Sequence, residues 1–209
     1  MVSHKGRAPD PVFSNISSRI HQLPDFFYTN NPVSTSFSSP SCNTCNPHCD
    51  TEYYIVAGSD DLLYPDAVAN FKAFLSKANP DVVAANVIIN KKIVRAKSQS
   101  LVWLYGGGGL IASHSVATAI RKKLHDRIGL YSNKFPIYAD GEFLLRAYAA
   151  GSLFGFPGFC AGEFATDGIS NKNQLISFAD QFKAMVENGQ NFYLQWLLFN
   201  LRVLKWRKE

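Results

Sequence analysis

Long apolar runs are missing from this chain. No stretch of its 209 residues reaches the roughly 18 consecutive apolar residues that a membrane-spanning helix needs, and the N-terminus lacks the apolar core of a secretory signal. The expectation is therefore a cytoplasmic protein, placed at the inner face of the membrane if it meets one. Cysteine is scarce as well, with only 4 in the chain, so no disulfide framework and no oxidising compartment is required. Three of them fall in Cys42-Asn43-Thr44-Cys45-Asn46-Pro47-His48-Cys49, a run too compact to supply the second ligand pair of a structural zinc site. The fourth, Cys160, sits in an apolar stretch and reads as a small buried hydrophobe. Glutamate is absent from the first fifty residues, which instead hold nine of the serines and six of the 10 prolines. Such a composition predicts a loop-rich or disordered leader over residues 1–49.

Charge is modest, at 18% of residues, but biased: 21 Lys and Arg against 16 Asp and Glu give a net charge of +5 and a pI near 9.0. That balance suits an anionic partner. The interleaved aromatic and basic residues of a nucleic-acid reader are not visible, so no nucleic acid is expected.

From residue 50 to 209 the pattern becomes that of one α/β domain. Tyr53 to Ala57 reads as a strand, and Pro65 to about Lys77 as a helix carrying Val68, Phe71, Phe74 and Leu75 on one face. Asp81 to Ile89 is a second β-rich run. Gly106 to Gly109 lacks the lysine and spacing of a phosphate-binding loop and reads as a flexible loop, followed by a mostly extended Leu110 to Ile120. A short helix over Lys122 to Ile128 ends at Gly129, and another runs from Tyr138 to Gly151 with acids in its first turn. Leu153 to Phe164 suggests a strand and turn. Ser170 is placed as the cap of a helix to Asn188, and a last helix spans 191–206.

The sharpest local feature is Tyr53-Tyr54-Ile55-Val56-Ala57-Gly58-Ser59-Asp60-Asp61, an apolar strand that ends in paired carboxylates. Two adjacent acids at the exit of a buried strand are costly without a compensating cation or polar ligand. The arrangement suits a divalent metal holding a diphosphate.

Taken together, YYIVAGSDDLLYPDAVANF, DVVAANVII, SHSVATAIRKKLHDRIGLYSNKFPIYADGEFLLRAYAAGSLFGF and FATDGISN resemble the second half of a family 2 glycosyltransferase with the GT-A fold, over roughly residues 48 to 175. The resemblance implies a GT-A-like mixed sheet flanked by helices. It also implies transfer of a sugar from a nucleotide-sugar donor to a saccharide or lipid-linked acceptor hydroxyl, with inversion, in surface polysaccharide biosynthesis. On the family's pattern, Asp61 and Asp60 would hold Mg²⁺ or Mn²⁺ against the donor diphosphate, and His114 would touch the phosphates or the metal. Asp140 matches the family's catalytic base at the start of a helix, where the helix dipole favours a carboxylate, with Glu142 as a second candidate. Gly168 and Ser170 match a loop on the acceptor side. The family's opening nucleotide-binding strands are not recognisable in residues 1 to 50, so the chain reads as N-terminally truncated or altered. The competing expectation is a non-catalytic fragment or interaction protein.

The C-terminal helix carries Phe192, Trp196, Phe199, Val203 and Trp206 near one face and Arg202, Lys205, Arg207 and Lys208 in its last turn. Two readings stand for it. It lies on an anionic bilayer, or it packs on the domain with its cations complementing the helix dipole.

Overall fold

Two sheets share the work of positioning the strand ends. The computed structural model describes residues 26–30, 51–57, 61–165 and 173–207. The first sheet has the order β1-β2-β7-β4-β8, built from β1 (Phe26–Asn30), β2 (Tyr53–Ala57), β7 (Thr118–Arg121), β4 (Val82–Ala84) and β8 (Phe154–Gly155). β1 pairs parallel with β2 and β8 parallel with β4, while β7 runs antiparallel between β2 and β4. The second sheet has the order β3-β9-β5-β6, from β3 (Leu62–Leu63), β9 (Cys160–Glu163), β5 (Asn86–Ile89) and β6 (Lys92–Val94). This is the mixed α/β architecture expected from the sequence.

Alternation along the strands divides the core in two. Tyr53, Ile55 and Ala57 of β2, with Val83 and Ala119, face one cluster together with Ala67, Val68 and Phe71 of helix α1 (Ala67–Leu75). Val82, Ala84 and Ile120 face the other, against Phe143, Leu144 and Ala147 of the later helix Ala139–Ala149. A period of two sends successive side chains to opposite sides, so one short strand feeds both layers. Each fully buried Phe or Leu contributes roughly 1.5–3 kcal/mol by leaving water. Phe71, Phe143 and Leu144 are buried to that extent.

The remaining helices are α2 (Val102–Tyr105), α3 (Leu124–Ile128), α4 (Ala139–Ala149), α5 (Gln174–Glu187) and α6 (Phe192–Trp206). Gly129 stops α3 with φ +82, a left-handed conformation that side chains rarely adopt. α6 begins at Asn191, whose side chain accepts from the Leu194 N–H.

Several expectations change in detail. The run DVVAANVII is two strands, not one: at Ala85 the chain leaves the first sheet for the second, with Ala85 N–H donating to Ala117 O and Asn86 N–H to Phe159 O. Uniform hydrophobicity hid that switch. Leu153 to Phe164 likewise supplies β8 to one sheet and β9 to the other. Gly106 to Gly109 is a 3₁₀ turn with Gly106, Gly107 and Gly109 buried, rather than a flexible loop, because small residues let the backbone approach α4. Strand structure in Leu110 to Ile120 is confined to its end, from Thr118. Residues 1–49, read as a loop-rich leader, supply β1. Cys160 is half-buried.

Candidate functional site

Asp61 stands between β2 and β3, beside the end of the first sheet from which β2 and β4 exit and β7 enters. It is 3% exposed, a costly place for a carboxylate unless its oxygens are satisfied. One oxygen accepts from Ser115 Oγ, and the other from the Ala165 N–H at 3.0 Å, just past β9. Asp61 thus ties the exit of β2 to the segment before β7 and to the end of the second sheet.

That segment before β7 carries His114 between Ser113 and Ser115. Its backbone is held by Thr118 Oγ1 donating to Ser113 O at 2.5 Å. The His114 ring starts a relay through the second core cluster: Nε2 lies 3.1 Å from the Tyr131 hydroxyl, which lies 3.0 Å from the Tyr54 hydroxyl, which lies 2.6 Å from His125 Nε2. His125 Nδ1 then faces the Gly129 carbonyl at 3.3 Å. Burial holds His125 down at about 4, so its ring is neutral near pH 7.

The proton positions follow from the far end. A carbonyl only accepts, so His125 Nδ1 carries the proton and its Nε2 is bare. Tyr54 must donate to that nitrogen, which leaves Tyr131 to donate to Tyr54. The Tyr131 proton being spent, His114 Nε2 must be the donor in the last bond. Neutral His114 is therefore the Nε2–H tautomer with a bare Nδ1. Burial holds His114 below the usual imidazole range, and the nearby Asp140 carboxylate works against that shift.

Asp140 sits in the first turn of α4, half-buried, with its Oδ1 accepting from the Gly141 N–H at 2.7 Å. The start of α4 is set by the glycine turn: Gly107 N–H donates to the Tyr138 hydroxyl at 2.7 Å, and burial pushes that hydroxyl up to about 12. Gly141 has no room for a side chain, since a Cβ there would lie 2.3 Å from the Tyr138 ring.

Glu142 turns elsewhere. Two residues along a helix are roughly 200° apart, so Asp140 and Glu142 leave α4 on nearly opposite sides. Glu142 is 5% exposed and pairs with Arg146 Nε at 2.6 Å; Arg146 in turn donates to the Ile128 and Leu130 carbonyls. The pair fastens the α3–α4 connection and lines a cavity of about 420 Å³ with Ser132, Phe135 and Asn188. Glu142 Oε2 has no hydrogen-bond partner there.

The structure thus links Asp61 to Ser115, the neighbour of His114, sets His114 within electrostatic reach of Asp140, and engages Glu142 with Arg146 instead. Asp60, Gly168, Ser170, Lys208, Cys42, Cys45, His48 and Cys49 lie outside the described residues. Ser115, Tyr54, Tyr131 and His125 were not singled out from the sequence. Only the Ser-His-Ser context of His114 offered a signal for Ser115. Tyr54 lies within the strand read from the sequence, and nothing in the spacing marks Tyr131.

No family model matches the chain and no curated protein matches it. Solved structures share its fold. Residues 1–349 of S. aureus TarS superpose with a TM-score of 0.54 at 10% identity, covering 92% of this chain and 58% of that one. The same TarS segment in complex with UDP-GlcNAc gives 0.58 at 10% identity, covering 92% and 59%. The mannosyltransferase PcManGT from Pyrobaculum calidifontis, in complex with GDP-Man and Mn²⁺, gives 0.52 at 14% identity, covering 78% and 47%. The chain thus spans less than two thirds of each of these structures and has the GT-A-like fold of glycosyltransferases.

Proposed function

We propose that this chain belongs to a metal-dependent, inverting family 2 glycosyltransferase that moves a sugar from a nucleotide-sugar donor to an acceptor hydroxyl, in surface polysaccharide assembly. The observation that supports the reading is the buried Asp61 carboxylate at the strand exits, held by Ser115 beside His114, a histidine that feels the charge of Asp140. Support for the donor class comes from the neighbours solved in complex with UDP-GlcNAc and with GDP-Man.

The residues fit a hard divalent cation. Among the described residues no group of three His, Cys, Asp or Glu side chains forms a closed cage. Mg²⁺ and Mn²⁺ bound with nucleotides take most of their ligands from phosphate and water and need only one or two carboxylates. Asp61 supplies one buried carboxylate, and Asp60 is its neighbour in the sequence. When bound, such a cation stabilises negative charge on the departing nucleoside diphosphate. The chain's own residues do the rest. Ser115 and the Ala165 N–H hold Asp61 in place. Asp140 accepts the proton of the acceptor hydroxyl as that oxygen attacks the anomeric carbon, and His114, with Nδ1 bare, offers a second acceptor beside it. Gly168 and Ser170 are proposed on the acceptor side.

Release of nucleoside diphosphate from UDP- and GDP-sugars, followed with Mg²⁺ or Mn²⁺ present, tests the reading. Asp140→Asn should keep donor binding and lower turnover by about 10²–10⁴. A folded chain that binds no nucleotide sugar in the presence of either metal defeats the proposal. It would favour a second reading, a non-catalytic relative, whose supporting observation is that both Asp61 oxygens already accept from the protein itself.

A further inference from the structure

Helix α6 is built inside out. Its inward side carries polar groups: Gln195 is fully buried and donates to Trp103 O at 2.7 Å, and Arg202 donates to Leu104 O at 2.5 Å. Gln195 Oε1 and Arg202 Nη1 are buried there without partners. Its outward side carries Tyr193, Trp196, Leu197, Leu201 and Leu204, all exposed, Tyr193 at 79%. A helix on a water-facing surface normally shows the opposite arrangement, with its apolar stripe turned to the core. Phe192 and Phe199 meet Phe182 of α5, so only part of the stripe read from the sequence packs on the domain.

Tryptophan placement points the same way. The chain has 3 tryptophans, and all of them, Trp103, Trp196 and Trp206, are exposed on α2 and α6. Tryptophan is usually among the more buried side chains, and it concentrates where an apolar medium meets water. Lys205 and Arg207 are exposed at the end of the helix, and α6 contains no acidic residue.

We propose that the outward face of α6 is a docking surface for an anionic lipid bilayer. A second copy of the chain is a poor occupant. The face is roughly 22 Å long and 10 Å wide, on the order of a few hundred Å², against roughly 800 Å² per partner in a standard protein interface. A twofold pairing would also give Lys205 and Arg207 no acid on the opposing α6. A bilayer accepts leucine and tryptophan into its acyl boundary and offers phosphate to the cations. No helix of the described residues is long and apolar enough to cross a membrane, so α6 would lie in the interface plane. This surface is independent of the transferase reading.

The test uses the intrinsic fluorescence of the whole chain, in which Trp196 lies on the outward face of α6. Vesicles of phosphatidylcholine with about a third phosphatidylglycerol should shift the emission to the blue, brominated acyl chains should quench it, and raising the salt should weaken both effects. Leu197→Glu and Leu204→Glu change exposed positions and should each lower the partitioning on the order of tenfold, with the circular dichroism spectrum unchanged. The proposal is overturned by an absent shift with anionic vesicles, by equal binding to pure phosphatidylcholine, or by variants that bind as the parent does. It is overturned equally if light scattering finds a dimer that these two substitutions dissolve.

Discussion

His114 donates its Nε2 proton to the Tyr131 hydroxyl at 3.1 Å, and that direction is imposed three bonds away, where His125 Nδ1 meets the Gly129 carbonyl. The consequence is a fixed tautomer at a residue within electrostatic reach of the proposed base. Tyr54→Phe removes the middle hydroxyl while keeping the ring that stacks on His125. Side-chain ¹⁵N spectra of the parent should show His114 as one Nε2–H tautomer and the variant as a mixture, because the Tyr131 proton is no longer committed to Tyr54. The variant should lose about 1–3 kcal/mol in denaturant unfolding, since His125 Nε2 is left buried without a donor. An unchanged His114 spectrum would break the relay argument.

Ser115 acts on Asp61. Ser115→Ala strips one donor from a carboxylate that is almost wholly buried, and hydrogen bonds to charged groups are worth about 1.5–3 kcal/mol. The denaturation midpoint should fall by a corresponding amount. Metal-dependent donor binding should weaken too, because Asp61 then holds only the Ala165 N–H from this pair. Binding unaffected alongside lost stability would assign Asp61 to the fold alone.

Much of this framework was legible in the chain. Tyr53 to Ala57 is a strand because β-branched and aromatic residues fill it, and its limits match those read from the sequence. α3, α4 and α6 followed from apolar spacing and their stop or cap residues. The sheet switch at Ala85 was not legible, since a strand buried on both faces has no polar punctuation. Nor was β1, whose Phe26–Asn30 lies in a serine- and proline-rich surrounding. At the site, acids and a histidine carry visible chemistry. Ser115, Tyr54 and Tyr131 matter through what they touch after folding, which spacing along the chain does not encode.

Gly141 tests how the glycine turn aims α4. In an exposed helix interior, Gly→Ala usually gains up to about 1 kcal/mol. Here the added methyl meets the Tyr138 ring at 2.3 Å, and that ring is held by the Gly107 N–H bond. Overpacking costs typically about 1–3 kcal/mol, so the sign should reverse and Gly141→Ala should be destabilised. Because Asp140 rides on the same turn, turnover should fall more than stability alone explains. A stabilised Gly141→Ala protein would show that Tyr138 yields at little cost.

His125 sets an acid limit on the fold. Burial keeps it neutral down to about 4, whereas the ordinary value for an exposed imidazole is 6.5. Between those values the unfolded chain binds more protons than the folded one, so stability rises with pH through the window. The contribution is complete above about 6.5 and is lost as the pH falls toward about 4, a difference on the order of 3 kcal/mol. His125→Gln retains a group that can accept from Tyr54 but cannot titrate. Urea unfolding at several pH values should therefore show a weaker pH dependence between about 4 and 6.5 in the variant than in the parent. Parallel curves would mean that the imidazole takes up its proton in the folded state without penalty, and the buried relay would then not be the source of the acid sensitivity.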